Sequence, residues 1–136
     1  MDEDRQAGGG GPGLLACRGV RGATTLTGTD GAAVRDATAE LLEELRVANG
    51  FDLDDVAAAI FTMPDELSGA NPAAAARAVG WGSVPLLMVR EHGGDARVAR
   101  CLRVLLLVNT TLRQSEVRHV YLREAASLRP DLATLS

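Results

Sequence analysis

The chain has no lysine: all 14 of its basic side chains are arginine. Aromatic residues make up 3% of the 136, so a core has to be assembled from leucine, valine and alanine. Cysteine is confined to Cys17 and Cys101, too few and wrongly spaced for a disulfide framework or a zinc site. Histidine is confined to His92 and His119, which leaves little material for a nucleophile-and-base machine. No apolar run approaches the roughly 20 residues needed to span a bilayer. The start of the chain, MDEDRQAGGGGPG, is acidic where a secretory leader would be basic. These absences point to a cytoplasmic protein with no metal or cofactor, and no membrane partner.

What is present is a single domain's worth of chain, 46% hydrophobic, long enough for a real core. Residues 1–13 read as a disordered Gly-rich tail and 14–136 as the folded domain. The net charge of −4 argues against a general nucleic-acid binder. Its distribution says more. Residues 1–55 carry 11 acids against 5 arginines, whereas residues 77–136 carry 9 arginines against 5 acids. A positive C-terminal half suits a small anionic ligand.

Leu14–Thr25 reads as a first strand, with Arg18 and Val20 on one parity and Gly19, Arg21 and Ala23 on the other. A long helix follows over Gly31–Asn49, capped by Thr29 or Asp30. Val34, Ala37, Leu41, Leu45 and Ala48 recur at helical spacing along it, and Gly50 ends it in the left-handed conformation. Val56–Met63 is a second strand. Asn71-Pro72 starts a short helix, Ala73–Val79, that stops at Gly80. Val84–Glu91 is a third strand, His92-Gly93-Gly94-Asp95 a turn, and Ala96–Arg100 a helical turn. Val117–Leu122 is a last short strand in which His119 and Tyr121 share a face.

Between them lies Cys101–Thr110, CLRVLLLVNT, apolar at seven of ten positions and on both parities. That pattern predicts a strand buried on both faces. Arg103 sits inside it. Its guanidinium stays charged at any ordinary pH, and an unpaired buried charge costs several kcal/mol. It must therefore meet a carboxylate or line a polar pocket that receives an anion. Strands alternating with one long and one short helix give an α+β domain with a mixed β-sheet covered mainly on one face. So few helices leave apolar sheet exposed, which predicts oligomerisation through it.

Other chemistries find no support. His92 lies in a glycine turn, and His119 reads as a core or interface histidine rather than a base. GGGGPG is not a phosphate loop, because no strand precedes it and no Gly-Lys-Ser/Thr closes it. The residue set left over is arginines on strands, one strand-terminal glutamate and one tyrosine, which can bind an organic polyanion.

RGVRGATT at 18–25, Val84-Pro85, Glu91, CLRV at 101–104, RHVYL at 118–122 and LRPDL at 128–132 occur in that order. Together they resemble the trimeric, monofunctional bacterial chorismate mutases of the AroH class, from about Cys17 to Leu132. The resemblance implies rearrangement of chorismate to prephenate, without a cofactor, on the branch toward phenylalanine and tyrosine. It implies a homotrimer whose sheets pack into a pseudo-α/β-barrel, with active sites in clefts between subunits. Carried over by position, Arg21 holds a substrate carboxylate, Glu91 accepts the ring hydroxyl, and Arg103 reaches the ether oxygen and a carboxylate. Tyr121 is a second carboxylate donor. Leu86, Leu87 and Met88 line the opposite wall, and Leu128-Arg129 covers the mouth. Asn71, Ala73, Ala74 and Arg77 fall on the family's helical substrate edge.

Three of these positions depart from the family pattern. Asn71 stands where an aromatic is common, Ala74 where a lysine is common, and Met88 at the usual cysteine. The cysteine acts there through its backbone, which methionine preserves. The changes bear on affinity and substrate range rather than on reaction type. They also leave room for two other readings, a trimeric small-anion binding or regulatory protein on the same fold and a purely structural interaction module.

Overall fold

A computed structural model describes residues 14–63, 71–91 and 99–129. The expected N-terminal tail and the HGGD turn lie outside the described residues.

Strand β1 spans Ala16–Thr25, two residues shorter than the sequence pattern at its start. Helix α1 occupies Gly31–Asn49, as its periodicity predicts. Asp30 caps it, its carboxylate accepting the Ala33 N–H at 2.8 Å. At the other end Gly50 adopts φ 68° and donates its N–H to the Arg46 carbonyl at 2.8 Å. Val34, Ala37, Leu41 and Leu45 are buried, joined by Thr38 and Leu42. A 3₁₀ turn, Leu53–Asp55, leads into β2, Val56–Met63.

Helix α2 is regular only over Pro72–Ala76, with the Asn71 side chain accepting the Ala74 N–H at 2.9 Å. The expected continuation to Val79 is a loosely wound turn, Arg77–Trp81, because Val79 leaves helical geometry and Gly80 sits at φ 103°. That turn delivers Trp81 edge-on to Phe51, ring centroids 6.2 Å apart. Strand β3 covers Leu86–Arg90 rather than 84–91. The ladder nonetheless includes both ends: the Pro85 carbonyl accepts the Ala59 N–H, and the Glu91 N–H donates to the Met63 carbonyl at 2.7 Å.

Strand β4 is Cys101–Thr110, and β5 shrinks to Val120–Tyr121. The predicted strand over 117–122 is short because side chains take up its backbone groups. Asn49 accepts the Arg118 N–H at 2.7 Å and donates to its carbonyl at 3.0 Å. The strands order as β3-β2-β4-β1-β5. β4 lies at the centre, antiparallel to β1 and β2, while β2–β3 and β1–β5 are parallel. The architecture is α+β with a mixed sheet, as the sequence predicts.

Leu102, Val104, Leu106 and Val108 of β4 pack with Val20, Phe61 and the apolar side of α1 in the main core. At Gly22 an added Cβ would sit 2.7 Å from the Leu45 Cδ1, so this glycine is what lets α1 seat on the sheet. The opposite sheet face corrects the expectation that β4 is buried on both sides. In one chain the helices cover a single face, and on the other Leu105 of β4 stays 38% exposed and Leu87 of β3 56% exposed. A small cluster of Ala23, Cys101, Tyr121 and Ala125, with Leu128 against it, covers part of that face at the β1–β5 end. Among the described residues no helix is long and apolar enough to cross a membrane.

Candidate active site

The open face carries the charged residues. Register places Arg103 beside Ala23 of β1 and Thr62 of β2, so a small neighbour on one side leaves room for the guanidinium. Arg21 precedes Ala23 by two residues and points to the same face, and Tyr121 pairs with Ala23 from β5. Glu91 follows β3 directly, held there by its N–H bond to Met63.

The polar geometry centres on Glu91. The Thr62 hydroxyl donates to its Oε1 at 2.9 Å. Arg103 Nε lies 3.6 Å from the same oxygen, an ion pair by distance but too long for a hydrogen bond. That Nε is buried and makes no hydrogen bond. The arginine thus meets a carboxylate and also lines a pocket, satisfying both alternatives that the sequence left open.

Arg21, Glu91, Arg103 and Tyr121 line one cavity of about 420 Å³. Its size is that of a small-molecule site. Arg90, Ile60 and Thr62 line it too, and sequence reasoning did not single them out. No local pattern marked Thr62, whose place beside Glu91 follows from the β2–β3 register. Three arginines against one glutamate make the cavity attractive to an anion. Beside it, burial pushes the Cys101 thiol up, Arg103 pulling the other way, so the thiol stays protonated at neutral pH.

The remaining predicted site residues do not line this cavity. Leu86 and Met88 share the parity that faces the helices, whereas Leu87 lies on the open face. Asn71 is occupied as the cap of α2, Ala73 is buried in that helix, and Ala74 and Arg77 are exposed along it. Leu128 packs against the Tyr121 cluster, and Arg129 lies close enough to act electrostatically on His119. Among the described residues no group of three or more His, Cys, Asp or Glu could hold a metal ion.

Comparison with known proteins bears on the whole arrangement. The type I chorismate mutase family matches residues 17–132. The chorismate mutase AroH of Thermus thermophilus is 48% identical over 116 residues, 85% of this chain and 95% of that protein. The chorismate mutase AroH of Bacillus subtilis is 34% identical over 120 residues, 88% of this chain and 94% of that protein. Among solved structures, a chorismate mutase from Clostridium thermocellum superposes with a TM-score of 0.77 at 36% identity, covering 80% of this chain and 97% of that one. With its strand order, its open-faced arginine site and these relatives in agreement, the chain belongs to the type I chorismate mutases.

Proposed function

We propose that the cavity on the open sheet face converts chorismate to prephenate, with Arg103, Glu91 and Arg21 as its catalytic groups and no cofactor. The observation that carries this reading is the Arg103 guanidinium, balanced by Glu91 at 3.6 Å yet with its buried Nε making no hydrogen bond.

The reaction is intramolecular. An ether C–O bond breaks as a new C–C bond forms, and no proton or group enters or leaves. Negative charge grows on the ether oxygen as its bond stretches. A donor fixed at that oxygen stabilises the transition state more than the ground state. Arginine suits the task because its planar fork holds a carboxylate and the oxygen together. Arg21 and Tyr121 bind the substrate's carboxylates and Glu91 its ring hydroxyl. Holding the flexible enolpyruvyl arm over the ring removes rotational freedom before the reaction.

The second wall comes from a neighbouring copy. We assign the substrate contacts of Arg77, Asn71, Ala73, Ala74, Leu86, Leu87, Met88, Leu128 and Arg129 to the cleft of a homotrimer, working in the cytoplasm. The exposed Leu87 and Leu105 support sheet-mediated assembly.

Mixing purified protein with chorismate tests the reading. Loss of chorismate absorbance with prephenate as product is the expected result. Saturable chorismate binding without consumption would favour the small-anion binding protein, which Asn71 and Ala74 keep in play. Neither binding nor consumption would leave a structural module.

A further inference from the structure

We propose that His119 is a positioning residue for the reaction: its ring accepts the Arg21 backbone N–H and thereby holds Arg21 in register for the substrate. The proposal rests on the reading that Arg21 binds a substrate carboxylate.

The Arg21 N–H points to the edge of β1 that faces β5. That strand pairs only with Gly22 and Ala23, so no β5 backbone group pairs opposite Arg21. The His119 ring fills the gap, Nδ1 accepting the Arg21 N–H at 2.9 Å. Two residues further back, Gln114 closes the same edge, accepting the Gly19 N–H at 3.0 Å and donating to the Gly19 carbonyl at 2.7 Å. Side chains thus continue the ladder where backbone stops. Of the two, only the His119 contact falls on a residue of the cavity.

An imidazole can accept at Nδ1 only while that nitrogen carries no proton. Among the described residues, the charges that act on the ring are Arg21 from β1 and Arg129 beyond the turn that follows β5; from α1 the neighbouring segment receives the uncharged Asn49. Burial first, then those two positive charges, keep its pKa below the ordinary 6.5. The ring is therefore neutral, and an acceptor, across the neutral range. Below 6.5 the unfolded chain takes up the proton before the folded one, so stability held above that pH is lost as the solution becomes acid. A proton on Nδ1 sets donor against donor at the Arg21 N–H.

The test compares His119→Asn, whose amide oxygen can stand where Nδ1 stands but cannot titrate, with His119→Ala, which has no acceptor. Steady-state kinetics are followed from about pH 5 to about pH 8, with thermal melts on the same samples to fix the folded fraction. The wild type is expected to lose kcat/KM on the acid side through a rising KM, and His119→Asn to lose that limb while recovering most of what His119→Ala gives up. His119→Ala should raise KM about threefold to tenfold, the range one lost hydrogen bond supplies. In an Arg21→Ala background the same change should add nothing further. Superimposable profiles for wild type and His119→Asn overturn the proposal. So does an impaired Arg21→Ala whose loss simply adds to that of His119→Ala. An unchanged KM in Arg21→Ala removes the carboxylate role of Arg21, and this proposal with it.

Discussion

Arg103 Nε stands 3.6 Å from Glu91 Oε1, attracted by its charge but not hydrogen-bonded to it. The carboxylate instead takes its short bond from Thr62 at 2.9 Å. The pair is partly exposed, so it contributes little to stability, and the proposed mechanism uses it to hold a compensated guanidinium for an incoming oxygen.

Arg103→Lys keeps the charge but loses the rigid fork. Losing one preorganised donor to a developing oxyanion costs about 2.7–4 kcal/mol, roughly 10²–10³ in turnover. The loss is expected in kcat, with a smaller change in KM and an unchanged melt. Turnover within about tenfold of wild type would make Arg103 a strand-fixing residue and move the chemistry elsewhere.

Glu91→Ala should lower turnover strongly, and Glu91→Asp, a shorter acid, should fall between it and wild type. Equal rates for all three would take Glu91 out of the site.

Thr62→Val keeps the β-branched shape and removes the hydroxyl that orients Glu91. A hydrogen bond to a charged group contributes about 1.5–3 kcal/mol to stability, so the melting temperature should fall by several degrees, and kcat/KM should fall as Glu91 loses its fixed orientation. A wild-type rate would show that Glu91 needs no help from β2.

Gly22→Ala would place a Cβ 2.7 Å from Leu45 Cδ1, 3.1 Å from Val104 Cγ1 and 3.2 Å from Leu41 Cδ1. Overpacking of this kind costs about 1–3 kcal/mol, read as a melting temperature lower by several degrees. A melt identical to wild type would mean that α1 shifts freely on the sheet.

Sedimentation should give a trimer at micromolar concentration. Val89→Glu, on the open face and 41% exposed, should lower both mass and activity. A stable, active wild-type monomer would leave the proposed second wall unnecessary.

Much of the molecule was legible in the residues, and the misses have physical causes. Helix α1 could be bounded to the residue because a cap, a periodic stripe and a left-handed glycine agree. Four of the residues lining the cavity, Arg21, Glu91, Arg103 and Tyr121, were readable through the family resemblance and from charged or polar types placed on strands. Burial of β4 on both faces was over-read because a strand's composition reflects everything that can cover it, and one chain's helices reach one side only. The last strand was over-read because the side-chain acceptors that replace its ladder, Asn49 and His119, lie far off in sequence or point sideways from the segment itself. Thr62 escaped notice because its closeness to Glu91 depends on the β2–β3 register, which no local pattern encodes.

The central strand has a consequence for how the chain comes together. β4 joins β1 from Ala16 opposite Thr110 to Thr25 opposite Cys101, so the middle of the sheet is closed by contacts among the most distant in sequence. Loop closure over such spans is slow compared with winding α1, which needs only its own residues. During synthesis the first strand must wait with an unpaired edge until about residue 110 has emerged. Arg103 sits on that late strand. The step that completes the sheet therefore also brings the Arg103 guanidinium to Glu91, so the proposed site takes shape only when the last long strand docks.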